Sequence, residues 1–302
     1  MRTNSFGWAG LTAAAALWGW NFSIVRLGIN VIEPVLFTFI RFGLAVVVFF
    51  SFLWFREKGV AVAYKDLPVF AILGILGFTV FENMLLLATQ YTTVANASIL
   101  CVAPWPFFTM LLAPLFSKES RPARLWSGGC FALTGVIIVI AGGPGGLKLG
   151  GGYMLGNLLA LSASAVGAVF NAASMRLLNR YSPLRATAWM MLFGVAGMLP
   201  LAAYSGGLGT LPRMTGSLLF AIVFNVVAAT FLAFLLWNRS MSTTGAAKAN
   251  FFRYLTPVVS ALSGFWMFGE QVTLFQLAGS LIMLSGLILL MKRSRPDLGC
   301  VK

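Results

Sequence analysis

The sequence contains no histidine, and it has only three cysteines and seven acidic residues among its 302 residues. Without histidine the chain cannot build a Ser-His-Asp triad or an H-E-x-x-H zinc site. Cys101 and Cys130 lie within apolar runs and Cys300 lies in the C-terminal tail, so their spacing fits neither a disulfide framework nor a metal site. The sequence also lacks a G-x-x-x-x-G-K-[ST] phosphate loop, which argues against nucleotide-driven pumping. We therefore expect neither a metal nor a cofactor.

Charged residues are scarce as well, since they make up 9% of the chain while 59% of its residues are hydrophobic. A soluble domain has about 25% charged and about 45–50% apolar residues, so a soluble enzyme is excluded. The formal net charge of +14 is the balance expected of a nucleic-acid-binding protein. However, the basic residues stand in short clusters between long apolar runs, which is typical of cytoplasmic loops in membrane proteins. The expected partner is therefore the lipid bilayer and not nucleic acid.

Ten apolar runs are long enough to cross a bilayer, since a helical span needs about 20 residues for about 30 Å of hydrocarbon. The first run ends in Trp18-Gly-Trp-Asn21, which is too bulky and polar for a signal-peptide cleavage site, so we interpret it as a retained helix. The predicted fold class is an all-α membrane protein with ten transmembrane helices. The predicted spans are 6–28, 34–55, 68–90, 93–116, 123–141, 152–178, 183–205, 215–238, 243–268 and 273–292.

The distribution of Lys and Arg predicts the orientation of these spans. If the N-terminus lies inside, fifteen of the 21 cations fall on inner segments, and only Lys148 and Arg213 fall on outer loops. Cytoplasmic loops carry the excess of Lys and Arg in membrane proteins. We therefore expect a multi-pass protein of the bacterial inner (plasma) membrane with both termini in the cytoplasm.

The chain also resembles itself at an offset of 151 residues. This shift superposes Thr92-Thr93 on Thr243-Thr244, Pro106 on Pro257 and Glu119 on Glu270. Chance similarity between apolar helices explains aliphatic matches but not this ordered series, so we infer a duplication. Because five spans per repeat is an odd number, the two repeats insert with opposite orientations, as in many secondary transporters. The predicted units are a first five-helix repeat (1–142), a Gly-rich linker (143–151), a second five-helix repeat (152–292) and a cytoplasmic tail (293–302).

Matching interruptions in two predicted spans point to a binding site in such transporters. Span four contains Ala103-Pro-Trp-Pro106 and span nine contains Tyr254-Leu-Thr-Pro257, at aligned positions. Proline has no N–H and leaves the carbonyl four residues earlier unpaired, where a substrate or water can use it. The alternative is that Pro106 and Pro257 only kink their helices.

Glu82 is the only acidic residue that falls clearly within a predicted span. An intramembrane charge is costly and is by default a candidate functional group. Four roles remain open for Glu82: binding a substrate ammonium, relaying a coupling proton, pairing with Arg253 at similar depth, or lining a wet cavity. Lys248 is expected at a shallower depth than Arg253. Arg26 and Arg41 are expected nearer the outer boundary, where long side chains extend to the interface, so we assign them a structural role.

Amides and aromatic side chains within the spans are the remaining candidates for substrate contacts. An asparagine amide donates and accepts together, which suits a polar metabolite, although hydrogen bonds between helices are the alternative role. Asn21 and Asn171 occupy matching places in the two repeats, which favours them over Asn225 and Asn250. The candidate substrate-binding residues are Trp18, Asn21, Phe81, Glu82, Trp105, Asn171 and Tyr254.

Glycines recur at a seven-residue spacing in predicted spans five and ten. Gly128 pairs with Gly135 in one span, and Gly279 pairs with Gly286 in the other. Seven residues bring each pair to one helical face, and small residues let two helices approach closely. We expect this contact within the chain or between two chains, so both a monomer and a homodimer remain open.

Several short motifs occur in a fixed order along the chain. They are Leu17-Trp-Gly-Trp-Asn-Phe22 with Arg26, Pro34 with Arg41-Phe42, Gln90-Tyr91-Thr92-Thr93, Pro257-Val-Val259 and Gly269-Glu270. In this order they resemble the EamA family of the drug/metabolite transporter superfamily, over essentially the whole chain. The resemblance implies an inverted five-plus-five fold with a central cavity lined mainly by spans one, three, four, six, eight and nine. Trp105-Pro106 and Phe81-Glu82 are similar to features of the aromatic amino-acid exporter branch, in which that Trp lines the pocket.

Together these observations predict a secondary transporter that exports small metabolites, above all amino acids, aromatic or neutral, by alternating access. In this hypothesis the two halves rock around a midplane site between Pro106 and Pro257, and proton coupling is left open. An exporter of cationic drugs or quaternary amines and a non-transporting membrane scaffold are the alternatives. We do not expect an enzyme, because the spans lack paired carboxylates and a nucleophile–base set.

Overall fold

The computed structural model describes residues 5–105, 107–108, 111–112, 124–142, 152–178, 180–204, 214–244 and 252–291. These residues form helices joined by turns, with no strand among them. Two helices contain π-helical segments, π1 (Ile75–Val80) and π2 (Phe224–Leu232). The α-helices are α1 (Ser5–Ile29), α2 (Pro34–Glu57), α3 (Leu67–Gly74), α4 (Phe81–Tyr91), α5 (Val94–Val102), α6 (Arg124–Ala141), α7 (Gly152–Leu178), α8 (Pro183–Tyr204), α9 (Gly216–Val223), α10 (Ala233–Thr244), α11 (Leu255–Phe268) and α12 (Leu274–Met291).

Five of the described helices are both long and apolar enough to cross a membrane. A helix rises about 1.5 Å per residue, so each of them covers the roughly 30 Å of a hydrocarbon core. They are Pro34–Glu57, Tyr64–Tyr91, Gly152–Leu178, Pro183–Tyr204 and Gly216–Trp237. This agrees with the predicted all-α membrane class, whereas the count of ten spans stays a prediction.

Side-chain caps explain where several helices begin. Glu33 accepts a hydrogen bond from the N–H of Leu36 (2.8 Å), and Pro34 follows at the first helical position, where its missing N–H costs nothing. Thr93 caps α5 in the same way, with its Oγ1 accepting from the N–H of Asn96 (3.1 Å). Each cap satisfies one of the backbone donors that a helix start leaves without an internal partner.

The two π-helical segments lie at similar places in long apolar helices. π1 begins at Ile75 and π2 begins at Phe224, which is 149 residues later. A π segment inserts an extra residue into a turn, so it rotates the side chains that follow relative to those that precede it. This rotation was not predicted from the sequence, and it affects the direction of Glu82 just after π1 and of Asn225 within π2.

The chain departs from helix close to the aligned prolines, of which Pro106 lies outside the described residues. α5 ends at Val102 and is followed by a bend at Ala103 and Pro104, while a turn at Arg253 and Tyr254 precedes α11. The two bends touch, because the hydroxyl of Tyr254 donates to the carbonyl oxygen of Ala103 (3.1 Å). The carbonyl of Arg253, expected to stay unpaired for a substrate, instead accepts from the N–H of Thr256 (3.0 Å). Pro257 is tolerated in the first turn of α11, where a helix loses least by lacking an N–H.

The helices pack in the same pattern in both halves of the described chain. α1 packs along α11 and against π2 and α10, while α7 packs along α5 and against π1 and α4. Likewise α2 contacts π2 and α9, while α8 contacts π1 and α3. α6 and α12 pack mainly against each other. α1 and α7 therefore have corresponding neighbours in the two halves, and so do α2 and α8.

Two glycines allow α6 and α12 to approach closely. A Cβ atom on Gly135 would lie 2.6 Å from the carbonyl oxygen of Gly279, and one on Gly279 would lie 2.7 Å from the carbonyl oxygen of Gly135. Both distances are shorter than a van der Waals contact, and the atoms met are backbone atoms that cannot rotate away. For this pair the predicted close contact is confirmed, and it lies within one chain.

Replacement of Gly135 by alanine is expected to force the two helices apart. Overpacking of this kind costs about 1–3 kcal/mol, so Gly135→Ala should lower the midpoint of thermal unfolding of the detergent-purified protein. Gly43→Ala in α2 is the matched control, since a Cβ there meets nothing within 4 Å. Equal midpoints for the two variants would contradict this account of the contact.

Candidate functional site

A small cavity opens between α1, α2 and α4. Its walls combine charged, amide and apolar side chains. A pocket that is mostly apolar with a few convergent polar groups is the usual form of a small-molecule site. The lining residues are Asn21, Phe22, Val25, Arg41, Glu82, Leu85, Leu86 and Thr89.

An ion pair forms the polar centre of this cavity. Nη2 of Arg41 donates to Oε2 of Glu82 (2.6 Å), and Nη1 of Arg41 donates to Oδ1 of Asn225 (2.7 Å). The guanidinium also lies over the ring of Phe42, 4.3 Å from its centroid. Asn225 completes the network by donating from Nδ2 to the carbonyl of Ala221 (2.9 Å). Buried charges persist only when paired and hydrogen-bonded in this way.

This arrangement corrects two predictions about charged residues. Arg41 does not extend to the membrane interface, because only 3% of it is exposed. Glu82 pairs with Arg41 and not with Arg253. Depth counted along straight helices did not distinguish these partners, since π1 turns the segment that carries Glu82.

Two acceptor atoms at the cavity remain without partners in the described part of the chain. The Glu82 side chain is 20% exposed and uses only Oε2 in its ion pair, so Oε1 stays free. Oδ1 of Asn21 is buried and accepts no hydrogen bond. A buried polar atom without a partner costs about 1–3 kcal/mol. The cavity therefore suits a ligand group that brings several hydrogen-bond donors.

A second cluster surrounds Arg253 with aromatic rings. Its guanidinium carbon lies 4.8 Å from the ring centroid of Trp105, 5.1 Å from that of Trp237 and 5.6 Å from that of Trp18. A cation within about 6 Å of a tryptophan face is attracted by the ring quadrupole. We call these four residues the tryptophan cage.

Neighbouring residues fix the rings of the tryptophan cage. Nε1 of Trp18 donates to the carbonyl of Ala229 (3.0 Å). Phe81 meets Trp105 edge to face, with centroids 5.4 Å apart. Trp105 also requires glycine at position 167, because a Cβ there would lie 2.2 Å from its ring. Phe81, directly before Glu82, thus joins the tryptophan cage to the cavity.

The predicted site residues divide between these two places. Asn21 and Glu82 line the cavity, Trp18, Trp105 and Arg253 form the tryptophan cage, and Phe81 connects them. The hydroxyl of Tyr254 donates to the carbonyl of Ala103 at the bend that follows α5. Asn171 is half-buried and lies outside both sets. Pro106 and Lys248 lie outside the described residues.

Sequence reasoning missed three members of the site: Arg41, Asn225 and Trp237. An arginine seven residues into the apolar run that starts at Pro34 is the signal that identifies Arg41, because a buried arginine needs an acid and an amide nearby. The position of Asn225 depends on π2, which has no recognisable sequence pattern. Trp237 is one of nine tryptophans, and nothing in the sequence separates it from those at a lipid interface.

A further ion pair lies at the far ends of α1 and α11. Nη1 of Arg26 donates to Oε1 of Glu270, and the guanidinium lies 4.9 Å from the ring centroid of Phe268. Oε2 of Glu270 also accepts from the backbone N–H of Val94 at the start of α5 (2.9 Å). One carboxylate therefore links α1, α5 and α11.

The described residues contain no cluster of His, Cys, Asp or Glu that could hold a metal ion. The two clusters described above provide charges, hydrogen-bonding groups and aromatic surfaces. Glu82 and Asn21 offer acceptors, whereas the tryptophan cage offers donors. Such an arrangement can bind a small polar molecule.

Comparison with curated proteins finds relatives of similar length. An uncharacterized transporter of Archaeoglobus fulgidus is 25% identical, over 95% of this chain and 99% of its own. A probable amino-acid metabolite efflux pump of Salmonella typhimurium is 26% identical, over 90% of both chains. A probable terminal-alkyne amino-acid exporter of Streptantibioticus cattleyicolor is 26% identical, over 76% of this chain and 75% of its own.

A solved structure and a family model also match over nearly the whole chain. A crystal structure with 20% sequence identity superposes on 100% of both chains with a TM-score of 0.68. The model of the EamA-like transporter family matches twice, over residues 5–141 and 154–292. These matches confirm the resemblance that the sequence motifs indicated. The chain belongs to the EamA-like transporter family.

Proposed function

We propose that this protein is a secondary transporter that exports small metabolites bearing a primary ammonium group, above all amino acids. The observation that carries this proposal is the pair of unpaired acceptors at the cavity, Oε1 of Glu82 and Oδ1 of Asn21. A primary ammonium has three N–H donors and a positive charge, so it matches one carboxylate oxygen and one amide oxygen. The apolar wall formed by Phe22, Val25 and Leu86 accommodates the rest of the molecule.

The same acceptors argue against the alternative of a carrier for quaternary amines. A quaternary ammonium has no N–H, so it would leave Oδ1 of Asn21 buried without a partner. Such ligands are typically held by aromatic faces, and the aromatic faces here are already occupied by Arg253. A primary ammonium is therefore the better fit.

Relatives of this chain support an amino-acid substrate. Two of them are named for amino acids or their metabolites, one as a probable exporter and one as a probable efflux pump. These names apply to proteins about a quarter identical to this one, and the acceptors at the cavity provide the independent physical argument. Transport, and not catalysis, is the activity that the family and the site support together.

The architecture we propose is two inverted five-helix repeats, 1–142 and 152–292, joined by the linker 143–151 and followed by the tail 293–302. Three observations support it: the family model matches once in each half, π1 and π2 lie 149 residues apart, and equivalent helices have equivalent neighbours. The contact between Ala103 and Tyr254 joins two positions that the offset of 151 residues superposes. Inverted repeats provide two similar halves that can exchange inward- and outward-facing shapes.

In this mechanism the substrate binds between the halves, and the halves then rock. With both termini in the cytoplasm, Arg26, Glu270 and Val94 lie at the outer side, where their contacts close the outer end of α1, α5 and α11. Export requires these contacts to break so that the outer end opens. Glu82 is the group on which proton coupling would act, because protonation removes the charge that attracts the ammonium.

The orientation can be tested with single cysteines in two loops that are predicted to lie on opposite sides of the membrane. In a chain with Cys101, Cys130 and Cys300 replaced by alanine, Lys148→Cys should react with a membrane-impermeant maleimide on intact cells. Lys65→Cys, at an exposed position before α3, should react only after lysis. The physical reason is that cations are retained on the cytoplasmic side. The reverse pattern would overturn the proposed orientation.

The substrate class can be tested by uptake of a panel of labelled amino acids into proteoliposomes, with and without an imposed pH gradient. Glu82→Gln keeps the shape but removes the charge that faces the ammonium, so we expect uptake to fall by about 10- to 100-fold. Asn21→Ala removes the second acceptor and leaves the Arg41–Glu82 ion pair intact, so it should reduce apparent affinity while the protein remains folded. Dependence of native uptake on the pH gradient would indicate proton coupling.

Glu57→Gln is the matched control for this experiment. Glu57 pairs with Arg185 at the periphery of the bundle, so its neutralisation should leave uptake unchanged. Uptake of every amino acid at the level of empty vesicles would refute the proposed substrate class and favour the scaffold. Equal uptake by native protein, Glu82→Gln and Asn21→Ala would refute the assignment of the site.

A further inference from the structure

Arg253 is an intramembrane cation that lacks an acidic partner among the described residues. The chain has only seven acidic residues, of which Glu119 and Asp297 lie outside the described part. Glu33 caps α2. The other four are each paired with a different arginine: Glu57 with Arg185, Asp66 with Arg180, Glu82 with Arg41 and Glu270 with Arg26.

An unpaired charge at this place is expensive. Burying a charge away from water without a counter-charge costs several kcal/mol, and intramembrane ionisable residues therefore mark binding sites or ion pathways. The faces of Trp18, Trp105 and Trp237 offset part of that cost. They cannot accept conventional hydrogen bonds in the plane of the guanidinium.

Two buried donors of the tryptophan cage are unsatisfied. Nε of Arg253 and Nε1 of Trp105 are both buried, and neither has a hydrogen-bond partner among the residues that the structure describes. Trp105 is only 8% exposed, so water does not reach its indole N–H freely. Two unpaired N–H groups beside a positive charge are complementary to an anionic acceptor. A carboxylate fits best, since it has two oxygens and pairs with a guanidinium through parallel hydrogen bonds.

The tryptophan cage lies next to the cavity that holds Glu82 and Asn21. Trp18 and Asn21 are three residues apart on α1, which is about 4.5 Å along the helix axis. Phe81 contacts Trp105 from the residue before Glu82. The donors and the acceptors are therefore linked twice, through α1 and through the contact between Phe81 and Trp105.

We propose that Arg253 and Nε1 of Trp105 form a carboxylate subsite of the transporter, so that its substrates are zwitterions. In this subsite the substrate carboxylate accepts from the guanidinium and from the indole N–H. The ammonium of the same molecule meets Oε1 of Glu82 and Oδ1 of Asn21. The inference rests on the proposed function for the ammonium half, whereas the carboxylate half can be tested separately.

Three ligands that share a 3-methylbutyl chain separate the two halves of the site. Leucine carries both charged groups, 4-methylpentanoate carries only the carboxylate, and isopentylamine carries only the ammonium. Binding to the detergent-purified full chain can be followed by intrinsic tryptophan fluorescence and by thermal stabilisation. We expect Arg253→Gln to weaken binding of leucine and 4-methylpentanoate by about 10- to 100-fold while isopentylamine binds unchanged.

Two further variants keep the test independent of any folding defect in Arg253→Gln. Arg253→Lys retains the charge and should restore part of the affinity for 4-methylpentanoate. Trp105→Phe retains an aromatic face but removes the N–H donor, so it should weaken both carboxylate ligands and leave isopentylamine unaffected. Arg176→Gln, at an exposed position of α7, is the matched control and should bind all three ligands like the native chain.

The outcomes distinguish failure of the subsite from failure of the proposed function. If Arg253→Gln and Trp105→Phe bind 4-methylpentanoate as tightly as the native chain, the carboxylate subsite is refuted, and ammonium recognition stands. If the native chain binds 4-methylpentanoate but not isopentylamine, the subsite stands, and ammonium recognition by Glu82 is refuted. If the native chain binds none of the three ligands, both proposals are refuted.

Discussion

Arg41 and Glu82 place two opposite charges inside a helix bundle that is otherwise mainly apolar, and the surrounding residues are arranged around this pair. A buried ion pair gains stability when further hydrogen bonds engage its remaining donors and acceptors. Asn225 engages one donor of Arg41 and Phe42 covers the guanidinium face, while Nε of Arg41 has no partner among the described residues. Among the described residues Oε1 of Glu82 has no partner, and the side chain lines a cavity. The pair thus fixes the position of Glu82 at the wall of the cavity.

The bends of α5 and α11 are the second feature on which the proposed mechanism depends. They touch through the hydroxyl of Tyr254 and the carbonyl of Ala103, at positions separated by the repeat offset. In the proposed rocking motion, this contact between the halves stays in place while the contacts of Glu270 with Arg26 and Val94 open and close at the outer end.

The boundaries of several helices could be predicted closely from the sequence. An apolar run long enough to cross a bilayer has few structures other than a helix available to it there. The predicted spans 34–55, 152–178 and 183–205 correspond to helices Pro34–Glu57, Gly152–Leu178 and Pro183–Tyr204. Close approach at the glycine faces of predicted spans five and ten followed from residue size and spacing, whereas the specific contact of Gly135 with Gly279 within one chain came from the structure. These features depend on local composition, which can be read directly from the sequence.

The site was predicted less completely, because its geometry depends on packing between distant segments. Glu82, Trp105 and Arg253 were recognised by type, since charge and proline-flanked tryptophan are conspicuous within apolar runs. Their partners were not recognised: Glu82 pairs with Arg41, and Arg253 is held by three tryptophans. Depth counted along a regular helix fails across a π segment, and the turn before α11 places Arg253 outside a helical register.

The most direct test of the account is an experimental structure of the protein with bound leucine. We expect the leucine ammonium nitrogen within hydrogen-bonding distance, about 3 Å, of Oε1 of Glu82 and Oδ1 of Asn21, with the carboxylate against Arg253. Density for leucine at any other place, with Glu82 and Asn21 still free of ligand, would contradict the central claim that these unpaired acceptors bind the substrate.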